Sequence, residues 1–329
     1  MTIGVWGRPC EEFPAGEDSV DAMARRLEIL HASGVSRYFA YVAVAGRHYF
    51  ESETLGPPER DLFTPLMEAA ERTGVDVQPI LGLGGDVGIG HGLYQPSLES
   101  RDVPEWTLSW PCAAWGENHE RSVLVANELL QHGAEGIHLD YSRFPDSEVI
   151  RNNPCACARC QKARLRWLGK PYPEPQDLRK PGVVFKEMQM RIEFVRAFVE
   201  SMRGITDHHG AELSAAVRGN YYEDALQEGQ DWPEWCADGL VDVICPLAFT
   251  LSVGAFAKVV AQHRRFVSET QVEWMVGIGL RTGADRLDFD AFKRQLDFSR
   301  TAGADGMCIA DAAALGDEEL SLLSELTAG

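Results

Sequence analysis

Eight short runs rich in β-branched and aromatic residues recur along the chain, and each is followed by a segment of helical period. The runs are Ile3–Gly7, Arg37–Ala43, Asp76–Leu81, Gly136–Asp140, Glu212–Val217, Asp242–Leu247, Glu273–Ile278 and Gly306–Ala310. Strands that alternate with helices build parallel sheets, because a parallel pair needs a crossover long enough to return the chain to the same edge. Apolar spacing predicts those crossovers at Ser19–Ala32, Asp61–Thr73, Glu120–His132, Val184–Asp207, Ala255–Val267, Phe289–Ala302 and Glu318–Leu326, with a short Pro233–Asp238 segment between the fifth and sixth strands. Gly34, Gly74, Gly133 and Gly303 each follow a helical segment, where a residue that takes positive φ ends the helix. Right-handed crossovers joining eight parallel strands close into a barrel, whereas an open doubly wound sheet carries a glycine-rich dinucleotide loop after its first strand. Here that loop reads GRPCEEF and lacks the fingerprint. The expected fold is α/β: a single (β/α)8 TIM barrel over residues 1–329, with long loops after strands three and four.

Composition narrows the partners. The formal net charge is −19, which repels phosphate backbones and anionic membrane surfaces. Nucleic acid and membrane are therefore not expected as partners, while a neutral ligand such as a carbohydrate suits the field. No apolar run reaches the ~18 residues of a membrane span. The N-terminal residues show no basic region followed by an apolar stretch, and the eight cysteines are too sparse for a disulfide scaffold, so a cytoplasmic protein is expected. Nothing in the sequence specifies an oligomeric state.

The long connections are Gly82–Asn118 and Arg143–Gly182, both on the face where barrel enzymes build their sites. GLGGDVGIG, Gly82–Gly90, lacks the lysine and hydroxyl of a P-loop and reads as a loop. In the fourth strand, alternation points His138 and Asp140 one way and Ile137, Leu139 and Tyr141 the other. A carboxylate facing the interior needs a partner, so Asp140 is expected at the C-terminal mouth, met by water, Arg143 or a ligand. An Asp140–Arg143 ion pair that staples the loop is the alternative, and His138 reads as a satisfied core histidine or as a base.

GIHLDYSRFP, Gly136–Pro145, resembles the strand-four signature, close to DGIHLDYIRYP, of a family of bacterial glycosyl-hydrolase-like barrels. CACARCQ at Cys155–Gln161, LSAAVRG at Leu213–Gly219, GQDWPEW at Gly229–Trp235, VDVICPLAFT at Val241–Thr250 and VGIGL at Val276–Leu280 are similar in turn, so the likeness spans most of the chain from Trp110 onward. Departures are Phe249, where a tyrosine is usual, and Ser142 at a bulkier apolar position. The resemblance implies a (β/α)8 fold, action on glycosidic bonds of an oligo- or polysaccharide, no cofactor required for catalysis, and Asp140 as a catalytic residue.

Glycoside hydrolysis needs two carboxyl groups, one to protonate the leaving oxygen and one to act as nucleophile or as base on water. Asp311 and Glu223 lead the search for the second, followed by Asp86 and by Asp231, which also reads as a helix start. Trp6, Tyr221, Tyr222, Trp232, Trp235 and Phe249 can stack on sugar rings or fill the core. Arg8, Arg143, Arg218 and Asn220 can hold hydroxyls, and the three arginines could also grip a sugar carboxylate. A non-catalytic carbohydrate-binding barrel and a lyase or isomerase of an acidic sugar, with a tyrosine or His138 as base, are the competing functions. Cys155, Cys157 and Cys160, with Cys112 from the other long loop, form a possible structural zinc site, a disulfide, or free thiols in the 143–182 insert.

Overall fold

The computed structural model describes residues 1–84 and 103–328. Eight strands close a parallel barrel: β1 (Thr2–Gly7), β2 (Arg37–Tyr41), β3 (Asp76–Leu81), β4 (Gly136–Leu139), β5 (Glu212–Arg218), β6 (Val243–Leu247), β7 (Glu273–Gly279) and β8 (Gly306–Ala310). Each strand pairs with its neighbours in sequence, and β1 returns to β8 with Trp6 level with Ala310 on one side and Phe39 on the other. The second strand is shorter than expected. The chain turns after Tyr41, and Ala43–Val44 folds back on Arg47–His48 as a two-residue antiparallel pair. Strand β4 likewise stops at Leu139, because Tyr141 takes φ +51 and carries the chain out of the ladder.

The crossovers are α1 (Val20–Ala32), α2 (Phe63–Thr73), α3 (Gly116–Gln131), α4 (Pro181–His209), α5 (Trp232–Ala237), α6 (Val253–Val267), α7 (Phe289–Ala302) and α8 (Asp317–Ala328). Ser19 caps α1 by accepting from the Ala22 amide at 3.2 Å, which fixes the start that the hydrophobic spacing left approximate. Gly74 and Gly303 take φ +73 and +79 at the ends of α2 and α7, a left-handed geometry that a Cβ would strain. An additional helix, Ala158–Leu168, lies in the insert after β4. Its sequence, ARCQKARLRWL, buries only Cys160 and Arg164, so there was no apolar stripe to read. Among the described residues no helix is long and apolar enough to cross a membrane.

Inside the barrel, Trp6, Phe39, Ile80, Ala216, Val243, Cys245, Met275 and Cys308 form an apolar layer. A polar column runs beside it. The Trp6 indole N–H donates to His138 Nε2 at 2.9 Å, and because indole only donates, Nε2 must be the unprotonated acceptor. Nδ1 therefore carries the hydrogen and donates to Ser214 Oγ at 2.7 Å, which donates to Gln78 at 3.0 Å. Gln78 donates in turn to Asp76 and Glu212, which with Glu273 surround Arg37 at the lower end. Full burial drives the His138 pKa down to about 3, consistent with this neutral tautomer. Gly136 is glycine for a packing reason: a Cβ there would sit 2.9 Å from the Gln78 amide.

Candidate active site

The strand ends open into a cavity of about 460 Å³. Its walls come from around the ring: Trp6 and Arg8 from β1, Tyr41 from β2, Asp140, Tyr141 and Arg143 after β4, Arg218 from β5, Phe249 after β6, Arg281 after β7 and Asp311 after β8. Alternation in β4 delivers Asp140 as expected. Its Oδ2 accepts from the Tyr41 hydroxyl at 2.7 Å and its Oδ1 from the Tyr141 amide at 2.7 Å. Burial nevertheless raises the Asp140 pKa, with these two bonds and the charges of Arg143 and Arg218 working in the opposite direction. Asp311 lies across the mouth from β8 and is gripped by Arg281, whose Nη2 and Nε approach the two carboxylate oxygens at 3.0 and 3.2 Å.

The arginines are already engaged. Arg143 contacts Asp146 at 2.9 Å and Glu228 at 3.0 Å, and its guanidinium lies 4.9 Å from the Trp110 ring centroid. Arg218 contacts Asp146 at 2.5 Å and Glu228 at 2.9 Å. Two guanidinium groups are thus faced by two carboxylates. Burial raises the Glu228 pKa, and both arginines oppose that rise. Arg8 stacks over the Tyr41 ring at 4.7 Å and reaches Glu11 at 3.9 Å. In place of the alternative Asp140–Arg143 staple, Arg143 pairs with Asp146 and Glu228.

Several expected site residues are carried elsewhere. His138 is sealed inside the barrel beneath Trp6, with both nitrogens bonded, so it is held as a core histidine and does not reach the cavity. Glu223 lies exposed on the turn Tyr221–Ala225, bonded to Asn220 at 3.0 Å, and neither residue lines the cavity. The turn Tyr221–Ala225 that carries Glu223 begins just after Gly219, where the backbone packs so closely on β6 that a Cβ would meet the Leu247 carbonyl at 2.2 Å. Tyr221 donates to Asp231 at 2.6 Å and packs edge-on against the fully buried Trp232. Trp235 is buried as well, and Tyr222 is exposed away from the cavity. Asp231 stands at the start of α5, as its Asp-Trp-Pro sequence implied. Asp86 lies outside the described residues.

Tyr41, Tyr141, Gln230 and Arg281 line the cavity without having been singled out. For Tyr41 a signal existed, since RYFAY alternates and places it on the face of Phe39 one step nearer the mouth. Glu228 had none: it sits in a three-residue turn of helix, and only the tertiary fold brings it under Arg143 and Arg218.

The four expected cysteines converge. Cys112 Sγ lies 3.6, 3.7 and 3.8 Å from those of Cys160, Cys155 and Cys157, and all four sulfurs, each buried, fall within 4.8 Å of one another. A disulfide needs sulfurs at about 2.05 Å, and all eight cysteines are free. Around them, Arg164 donates to the Cys155 carbonyl at 2.6 Å while pairing with Glu187 of α4 at 2.5 Å, so the insert helix is tied both to the cysteine loop and to the barrel wall. From the same loop as Cys112, Trp110 donates to the Arg143 carbonyl at 3.0 Å. Trp110 thus ties the loop that carries Cys112 to Arg143 of the cavity wall.

No family model and no curated protein matches the sequence. Solved structures do. The glycoside hydrolase domain of PgaB (BpsB) from Bordetella bronchiseptica superposes with a TM-score of 0.76 at 15% identity, over 98% of each chain. The catalytic domain of β-amylase from Paenibacillus polymyxa gives 0.66 at 12% identity, over 99% of this chain and 96% of that one. β-Galactosidase from Marinomonas ef1 gives 0.71 at 12% identity, over 100% of this chain and 59% of that one. At such identities the likeness is one of fold: the chain shares the (β/α)8 barrel of these proteins.

Proposed function

We propose that the protein is a glycoside hydrolase acting on an oligo- or polysaccharide, with Asp140 and Asp311 as its carboxyl pair. The observation that carries this is the composition of the mouth: among the described residues lining the cavity, Asp140 and Asp311 are the two with carboxyl groups, and they descend from β4 and β8 on opposite sides of the ring. Asp140, whose burial favours its protonated form, is the member suited to give a proton to the leaving oxygen. Asp311, held by Arg281, is then the nucleophile or the base on water. Trp6 and Phe249 supply apolar faces for a sugar ring, and Arg8 and Arg218 supply donors for its hydroxyls. The matched barrels named as a glycoside hydrolase domain, a β-amylase and a β-galactosidase support the same substrate class. No part of this chemistry calls on a cofactor.

The test is turnover of a panel of aryl glycosides and oligosaccharides. Asp140→Asn and Asp311→Asn should each lower kcat by about 10²- to 10⁴-fold, the range for a positioned acid or base. Unchanged turnover in Asp140→Asn would remove Asp140 from the mechanism. A second reading, a barrel that binds carbohydrate without turning it over, is favoured by the Arg281–Asp311 ion pair, which could be purely structural. Saccharide binding by wild type with no hydrolysis would establish it. The lyase or isomerase alternative loses its histidine base, because both nitrogens of His138 are occupied inside the barrel.

We also propose that the four cysteines hold a structural zinc ion. Zn–S bonds of about 2.3 Å in a tetrahedron set sulfurs about 3.8 Å apart, and the separations from Cys112 are 3.6 to 3.8 Å. The Cys160 amide directed at Cys157 Sγ at 3.5 Å further suits a sulfur that carries negative charge.

A further inference from the structure

We propose that a second, neutral sugar unit binds beside the catalytic cavity, on the exposed face of Trp106. The inference rests on the glycoside hydrolase reading and extends it to the length and charge of the substrate.

A second cavity of about 340 Å³ adjoins the first and shares Tyr141, Arg143 and Arg218 with it. Its other walls include Trp106, Trp110 and Asp146. The two tryptophans differ in a telling way. Trp110 is 3% exposed and locked by its bond to the Arg143 carbonyl, whereas Trp106, 5.5 Å away between ring centroids, is 43% exposed. Leaving an indole open to water forgoes burial energy, and at the rim of a polar cavity it provides the flat apolar surface that the C–H face of a pyranose fits. The same cavity is walled by groups that donate and accept hydrogen bonds: the guanidinium groups of Arg143 and Arg218 and the carboxylate of Asp146.

The charge count chooses the kind of sugar. Arg143 and Arg218 each contact Asp146 and Glu228, so two positive groups are balanced by two negative ones. A uronate would have to compete with carboxylates already in place, and desolvating it without a free cation is costly. A neutral unit meets no such penalty, since its hydroxyls can donate to Asp146 and accept from the guanidinium edges. Tyr141 stands in the wall of both cavities, so one saccharide chain passing over it occupies both. The substrate then has at least two units.

The experiment is a binding ladder measured by titration calorimetry in an Asp140→Asn background, so that the probes stay intact. The probes are oligomers of one to six units of glucose, galactose, mannose and N-acetylglucosamine, with an oligogalacturonate ladder as the charged counterpart. Affinity for one of the neutral ladders should rise on going beyond one unit. Trp106→Ala should flatten that rise by roughly tenfold, and Trp106→Phe should restore most of it. Thermal melts of the two variants, matching at this exposed position, confirm that folding is not the cause. A ladder response that Trp106→Ala leaves intact would overturn the second site, as would tighter binding of oligogalacturonate than of every neutral ladder. Failure of the hydrolase reading shows separately, as Asp140→Asn turnover equal to wild type.

Discussion

Asp140 occupies a position that works against the fold and in favour of chemistry. Burial raises its pKa, while the Tyr41 hydroxyl, the Tyr141 amide, Arg143 and Arg218 hold that rise in check. Of these, the Tyr41 bond is the one a single small change removes. Tyr41 is partly buried in the cavity wall, and its own pKa is pushed well up by desolvation and by the adjacent Asp140 charge, so it donates and does not ionise. Tyr41→Phe deletes a donor to the carboxylate. The sign follows: losing stabilisation of the charged form raises the Asp140 pKa further, so the limb of the pH–rate profile governed by Asp140 should move to higher pH. Because Asp140 is proposed to act in its protonated form, that limb is the alkaline one, and kcat/KM on it should rise relative to wild type while the plateau below it changes little. A reduced rate with an unmoved limb would leave Tyr41 with a packing role alone. The placement of Asp140 was legible from two-residue alternation in GIHLDYSRFP, because the period of a strand is independent of its surroundings. The exposed position of Glu223 was not, since it is set by the turn Tyr221–Ala225, which no strand period describes.

Among the elements, the barrel strands and the wall helices announced themselves, and the helix Ala158–Leu168 within the insert after β4 did not. The insert has little apolar stripe and is held by polar and sulfur contacts: the four cysteines, and Arg164 between the Cys155 carbonyl and Glu187. If zinc closes this centre, the loops carrying Trp110 and Arg143 depend on it. Elemental analysis should find about one zinc per chain, the stoichiometry of a tetrahedral four-thiolate site. Stripping it with a chelator under mild denaturation should lower the melting temperature and weaken saccharide binding together, since a structural zinc site is part of the folding free energy. Cys112→Ala should reproduce both effects. Absence of bound metal with normal stability would mean that four packed thiols suffice. The spacing Cys-x-Cys-x-x-Cys marked three of the thiols in advance, with Cys112 of the other long loop as the expected fourth. Its approach to within 3.8 Å of them required the long loops after β3 and β4 to meet, which no local pattern specifies.

For the molecule as a whole, buried histidines should dominate the response to mild acid. His138 and His263 are held neutral by burial, with pKa values driven from 6.5 down to about 3 and about 4. In the unfolded chain both take up protons below about pH 6.5, while in the folded chain they do not, so stability is lost as pH falls through that window. Each contributes a slope that approaches about 1.4 kcal/mol per pH unit. His138→Gln should therefore show a shallower fall in stability than wild type between pH 5.5 and 4, measured by urea denaturation, even though it is less stable at pH 7. Parallel slopes would mean that His138 is charged in the folded protein.

By itself the sequence determined the class of fold, the number of strands, the stops of the helices and the arrival of Asp140 at the mouth. All of these are written in short-range periodicity and in residues with special backbone freedom, and short-range sterics act the same way in any fold. The tertiary structure decided that Asp311 shares the cavity with Asp140 while Glu223 does not, that Arg143 and Arg218 are neutralised by Asp146 and Glu228, and that Cys112 closes on the three thiols of the other loop. Those outcomes depend on closing the barrel, which brings β8 beside β1 and the long loops together across its mouth. Contacts between residues far apart in the chain leave no mark in local spacing, and for that reason the chemistry at the mouth had to be read from the folded molecule.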